Sequence, residues 1–297
     1  MKSKTAVFTG MATALVTPFK SGKVDYEAYG RLIDYQLKGG ADALCVLGTT
    51  GESATVSLRE RKSIIACAKE RVGGKVPILV GTGSNYTERT LKMTKEAEKM
   101  GADACLVVTP YYNKTSEDGL IKHYKKVARS VDIPIILYDV PSRTGMKISK
   151  NTLRALEGVE NIVAVKQANP DMVEVGKQMA EFYGRYDFYS GNDELTLPFL
   201  SLGAKGVISA VGNIIPSEIS TLCHAFFVND ISKARKLQHK IAPIVEEMFA
   251  EVSPIPLKCA LSLMGLCENE LRLPLTKSTR KEKILEKIRQ FYPELIL

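Results

Sequence analysis

The chain has 297 residues, 45% of them hydrophobic and 25% charged, with a net charge of +8; these are the proportions of an ordinary soluble globular protein, not of a fibrous or disordered one. No apolar run approaches the ~18 residues of a membrane span, and no basic stretch followed by an apolar core marks a signal peptide. Basic residues alternate with acidic ones, as over residues 277–283, which reads as a solvated helix face and speaks against nucleic acid, while the modest positive excess favours small anionic substrates.

Short apolar runs recur along the chain, beginning near Ala12, Ala43, Pro77, Ala104, Pro134, Ile162, Phe188 and Gly206. Between them, residues 26–38, 58–71, 87–100 and 119–130 carry apolar side chains at helical spacing. Gly39-Gly40, Gly73-Gly74 and Gly101 stand where helices stop before the next strand. Eight strands alternating with helices predict an α/β fold of the closed (β/α)8 barrel type. The runner-up, an open doubly wound sheet, lacks the Gly-x-Gly-x-x-Gly turn after its first strand. From Pro216 onward the pattern is helical only, with segments at 231–252, 257–266 and 279–291. The expected division is a barrel over 1–225 and a C-terminal helical extension over 226–297.

In such a barrel, chemistry belongs at the C-terminal ends of the strands. The second strand ends in Gly48-Thr49-Thr50-Gly51-Glu52-Ser53, the fourth in Pro110-Tyr111-Tyr112-Asn113, and the fifth in Tyr138, followed by Val140-Pro141-Ser142-Arg143-Thr144. The sixth ends in Lys166, the seventh in Ser190-Gly191-Asn192-Asp193, and the eighth near Ile208-Ser209. A lysine closing the apolar run Ile162-Val163-Ala164-Val165 is the sharpest signal. Apolar surroundings disfavour an ammonium and favour the neutral amine, a nucleophile toward carbonyls. Lys205 precedes its strand, and Lys147 and Lys258 fall in a loop and a helix.

Each of these residues has a plainer reading alone: a lysine snorkelling to water, tyrosines packing on helices, a surface arginine, a glycine turn as punctuation. Their convergence on one barrel face is what argues for a site. The glycine–threonine turn has no P-loop lysine, so its amides suit a carboxylate better than a nucleotide. Tyr138, beside Lys166, can pass protons when linked to other hydroxyls such as those of Thr49 and Tyr112. Arg143 has the geometry to grip a carboxylate through two hydrogen bonds. His123, His224 and His239 are far apart and end no strand, so no metal and no cofactor is expected. The six scattered cysteines (45, 67, 105, 223, 259, 267) form no Cys-x-x-Cys pair, and the expectation is a reducing cytoplasm.

These motifs, with 10–19 and 271–275 at the two ends and Gly206-Val207-Ile208-Ser209 near the barrel's close, resemble the dihydrodipicolinate synthase / N-acetylneuraminate lyase family of class I pyruvate aldolases. The resemblance implies that Lys166 would form a Schiff base with pyruvate. Thr49, Tyr138 and a Tyr112 reaching in from a neighbouring subunit would relay protons. Thr50, Gly191 and the Ile208 backbone would hold the pyruvate carboxylate, and Arg143 the carboxylate of L-aspartate 4-semialdehyde. Arg143 resembles the dihydrodipicolinate synthases; the neuraminate lyases lack an arginine there. The family also implies a homotetramer, a dimer of dimers. The alternatives are another pyruvate-dependent aldolase, of N-acetylneuraminate or 2-keto-3-deoxygluconate type, or a catalytically silent carboxylate-binding barrel.

Three positions depart from the commonest family pattern: Asp139 stands where asparagine is usual, Gln167 where glutamate commonly follows the lysine, and Thr115 where proline is frequent. Ser53, Ala54, Asn85 and Tyr111 match positions of a lysine-feedback pocket. Leu58 and Arg61 replace its histidines and Arg89 replaces its amine-binding glutamate, so the resemblance implies weak or absent inhibition by lysine.

Overall fold

Eight parallel strands run in chain order around a closed barrel, each hydrogen-bonded to the next and the last to the first. They are β1 (Gly10–Ala14), β2 (Ala43–Val46), β3 (Ile78–Gly81), β4 (Ala104–Val108), β5 (Ile135–Asp139), β6 (Ile162–Gln167), β7 (Asp187–Ser190) and β8 (Gly206–Ser209). The computed structural model describes residues 6–296. Between and beyond the strands lie α1 (Tyr26–Lys38), α2 (Leu58–Val72), α3 (Thr87–Lys99), α4 (Glu117–Ala128), α5 (Pro141–Thr144), α6 (Lys150–Leu156), α7 (Met172–Glu181), α8 (Thr196–Ser201), α9 (Pro216–Phe227), α10 (Ile231–Met248), α11 (Ile255–Leu263) and α12 (Lys281–Phe291). The barrel read from the strand–helix alternation is the fold observed, with C-terminal helices following it.

Local chemistry explains where the helices start. The side chains of Asp25, Ser116, Ser149 and Asp171 accept hydrogen bonds from first-turn N–H groups of α1, α4, α6 and α7. Ser57 and Glu60 form a reciprocal capping box on α2, satisfying donors that the helix itself leaves free. Two expectations shift. The long C-terminal helix stops at Met248, four residues early, and the next begins at Ile255 with Pro256 in its first turn. Proline lacks only an N–H that the first turn does not need, so here it starts a helix rather than breaking one. The segment around Arg143 is a single helical turn, α5, opened by Pro141 and closed by Gly145 at φ +64.

Two apolar layers result. One lies between the strands and the surrounding helices and includes Leu32, Ile64, Val107, Leu137, Val165 and Val207. The other fills the barrel, where Leu79, Leu106, Ile136 and Ile208 alternate with Ala12, Ala14, Ala43, Ala104 and Ala164. The small residues leave room for the long inward side chains of Tyr138 and Lys166. At the N-terminal end Phe8 stacks on Tyr189 with ring centroids 4.3 Å apart, and the Tyr189 hydroxyl donates to the Phe8 carbonyl at 2.7 Å.

The seam where β8 meets β1 is held by buried polar groups. Gly10 and Gly206 are register partners, and a Cβ on Gly206, which sits at φ +154, would collide with the Gly10 carbonyl, so a side chain there would force the seam apart. At the other end Asn213 donates to the Ala14 carbonyl at 2.8 Å and accepts from Val16 N at 3.1 Å. Asp193 accepts from the Ser209 hydroxyl and from the N–H groups of Ala210 and Val211 at 3.1 and 3.2 Å. The active end of the barrel is therefore braced between the tips of β7, β8 and β1.

Candidate active site

Tyr138 and Lys166 are directly paired across β5 and β6. Both side chains share the inward parity of Ile136 and Ala164, and both residues are buried, at 7% and 6% exposure. The Lys166 ammonium lies 4.5 Å from the centre of the Tyr138 ring, and no carboxylate pairs with it among the described residues. β6 continues one residue past Lys166, to Gln167. Inside the barrel Cys45 lies near enough for the lysine charge to act on its thiol, but burial dominates and pushes that thiol up to about 11. It packs as a small apolar group.

Above this pair the mouth opens into a cavity of about 290 Å³, lined among others by Thr49, Ser53, Tyr111, Arg143, Ser253 and Leu275. Lys166 and Tyr138 do not line it; they lie deeper, in the barrel interior. The glycine–threonine turn follows Leu47 at φ +58, and Glu52 within it sits at φ +50, left-handed conformations unusual for such residues. The N–H groups of Gly51 and Glu52 close the turn onto the carbonyls of Gly48 and Thr49 at 3.1 and 3.0 Å, while those of Thr49 and Thr50 make no backbone bond among the described residues. Free turn amides with a buried threonine beside them suit a carboxylate. Thr17 steadies the turn by donating to the Gly51 carbonyl at 2.7 Å.

Arg143, exposed on α5, donates to the Ser253 carbonyl at 3.0 Å, so the segment between α10 and α11 helps to aim it. Gly191 donates its N–H to the Gln167 carbonyl at 2.8 Å; a Cβ there would approach the Ala168 Cβ to 2.8 Å. What Gly191 offers a ligand is thus close backbone approach, not a free donor. Ile208 is fully buried in the barrel wall. Tyr112 stands apart: it is 93% exposed at φ +69 and does not line the cavity. Within one chain no hydrogen bond joins Tyr138 to Thr49 or Tyr112 among the described residues.

The sequence did not reveal the support beneath the turn. Lys258 of α11 is fully buried and pairs with Glu52 at 2.6 Å. It also donates to the Glu270 carbonyl at 2.7 Å, and its ammonium lies 4.1 Å from the Phe19 ring centre. Arg272 donates its backbone N–H to the same Glu52 at 3.1 Å. The only sequence signal was a glutamate inside a turn expected to hold a carboxylate, a residue that would repel such a ligand unless a cation neutralised it. No three His, Cys, Asp or Glu side chains cluster as a metal site among the described residues. No helix among them is long and apolar enough to cross a membrane.

Comparison with known proteins gives a consistent picture. A family model described as the dihydrodipicolinate synthetase family matches residues 7–290. The 4-hydroxy-tetrahydrodipicolinate synthase of Thermotoga neapolitana is 48% identical over 279 residues, 93% of this chain and 95% of that one. The crystal structure of dihydrodipicolinate synthase from Thermotoga maritima matches with a TM-score of 0.93 at 44% identity, covering 98% of this chain and 99% of that one. A monomeric dihydrodipicolinate synthase variant matches with a TM-score of 0.93 at 43% identity over 98% of both chains.

Proposed function

This chain belongs to the dihydrodipicolinate synthetase family, and from that premise we infer that it condenses pyruvate with L-aspartate 4-semialdehyde to 4-hydroxy-tetrahydrodipicolinate, a step toward lysine and diaminopimelate. The observation that carries the chemistry is the register pair of Tyr138 and Lys166, inside the barrel and beneath a cavity with an arginine on its rim. The neutral Lys166 amine adds to the keto carbon of pyruvate and, with loss of water, forms an imine. Protonated imine draws electrons from the methyl group, which loses a proton to become an enamine. The enamine carbon bonds to the aldehyde carbon, whose oxygen takes up a proton and becomes the 4-hydroxyl. The amine of the aldehyde substrate then displaces Lys166 from the imine carbon, closing the ring and freeing the lysine.

Tyr138 would hold and return these protons, a reading supported by its ring lying 4.5 Å from the Lys166 amine nitrogen. Thr49 at the cavity edge is the next hydroxyl, and Thr50 with the free turn amides is assigned the pyruvate carboxylate. Gly191 and Ile208 form the wall behind it, and Arg143 takes the second carboxylate. Tyr112, pointing out of its own subunit, supports the reading that it completes the relay of a neighbour in a dimer of dimers. The protein uses no cofactor in this scheme.

Sodium borohydride added with pyruvate, followed by peptide mass spectrometry, tests the reading. The expected product is a single reduced pyruvyl adduct on Lys166, absent from Lys166→Ala. A protein that condenses the two substrates without that adduct would exclude the Schiff-base route. Turnover of another aldehyde in preference to the semialdehyde would move the substrate assignment within the family.

A further inference from the structure

Immediately behind the catalytic pair lies a second register pair, Asp139 and Gln167. Their side chains face away from the barrel interior and are buried, at 1% and 0% exposure. They belong to a closed ring of hydrogen bonds. Gln167 Nε2 donates to Asp139 Oδ2 at 3.0 Å and to Gln178 Oε1 of α7 at 3.1 Å. Gln178 Nε2 donates to the Ile148 carbonyl at 2.9 Å, and Ile148 N donates to Asp139 Oδ1 at 3.1 Å. Gln167 Oε1 accepts from Asn169 N at 2.9 Å, which fixes the orientation of the Gln167 amide.

Both neighbours of the Asp139 carboxylate are therefore donors. We propose that this ring is a positioning device for the reaction inferred above: the ionised Asp139 locks the tips of β5 and β6, and so the mutual geometry of Tyr138 and Lys166. Protonated Asp139 meets two donors and no acceptor, so one bond of the ring breaks and the tips loosen.

Burial holds the Asp139 carboxyl up at about 6, against the lowering effect of its two hydrogen bonds. The charged and titratable groups facing it are Lys147 after α5, Glu174 of α7 and Tyr124 of α4. Lys147 and Glu174 pair with each other at 2.7 Å, leaving Asp139 with no ion-pair partner among the described residues. The sign of the linkage is distinctive. An unfolded aspartate ionises near pH 3.9, so between about pH 4 and about 6 the folded chain holds the extra proton and loses stability as pH rises. Ordering of the active pair improves over the same interval. His123, which burial lowers to about 4, titrates there with the opposite effect on stability. The difference between wild type and Asp139→Asn removes its contribution.

The experiment measures kcat and melting temperature from pH 4.5 to 8.5 for wild type, Asp139→Asn and Gln178→Leu, with borohydride trapping of pyruvate on each. Wild type is expected to lose kcat below about pH 6. Asp139→Asn is expected to lose that limb, to fall roughly 10- to 100-fold in kcat at pH 8, as misplaced reacting groups do, and to gain melting temperature relative to wild type as pH rises. Gln178→Leu, which opens the ring at one edge and leaves the carboxylate, is expected to lower kcat and keep the acid limb; it serves as the test if Asp139→Asn does not fold. Wild-type kcat and acid limb in Asp139→Asn, or unchanged kcat in Gln178→Leu, would overturn the proposal. Absence of trapping in wild type would instead overturn the Schiff-base reading itself.

Discussion

Tyr138 and Lys166 face each other because parallel strands in register place equal positions side by side, and alternation sends both inward. A phenol against an ammonium has one reactive partner to serve, which makes its hydroxyl the sharpest target for substitution. Tyr138→Phe is expected to keep the fold and the melting temperature while turnover drops roughly 10²–10⁴-fold, the range for loss of a general acid–base group. Steady-state kinetics beside circular dichroism check it, and a rate equal to wild type would remove Tyr138 from the proton relay. Both residues were legible in the sequence, since a polar residue closing an apolar strand contrasts with what precedes it. Tyr112 was legible only as a tyrosine in a loop: its 93% exposure and left-handed backbone are properties of the folded chain. The strain at Leu47, Glu52 and Tyr112 sits in the loops of the barrel mouth, where it fixes unusual chain directions beside the cavity.

Among the elements, α11 shows what pattern reading cannot reach. A lysine in an amphipathic helix reads as a solvated charge, yet Lys258 is fully buried on Glu52. Burial lowers its pKa, and the Glu52 charge opposes that. Strand and helix periods depend on neighbours in sequence and were readable throughout α1 to α4; this ion pair depends on where a distant helix lands. Ser253 was hidden for another reason, because it aims Arg143 through a carbonyl that every residue possesses. Removing one partner of a buried pair strands the other charge, which costs about 3–5 kcal/mol. Lys258→Met is therefore expected to lower stability by about that amount in chemical denaturation and to weaken pyruvate binding, since Glu52 closes the turn that offers the free amides. Replacing both partners by apolar residues of similar size is expected to recover much of the stability. A neutral outcome for the single variant would show that the turn does not lean on α11.

At the scale of the whole molecule, the net charge of +8 favours the approach of substrates that carry carboxylates, and Arg61 and Arg89 set two guanidiniums close enough to influence each other. Arg61 is buried, donates to the Gly81 carbonyl, and is lowered to about 10 by burial with Arg89 as a further cationic influence. An amino acid whose side chain ends in an ammonium meets repulsion there. Lysine is expected to inhibit weakly or not at all in a steady-state assay, and strong inhibition at micromolar concentrations would refute this. The stacked rings of Phe8 and Tyr189 have a wider consequence. Tyr189 is the register partner of Lys166, so this stack, with the Tyr189 hydroxyl on the Phe8 carbonyl, fastens the segment ahead of the first strand to the strand beside the reacting lysine.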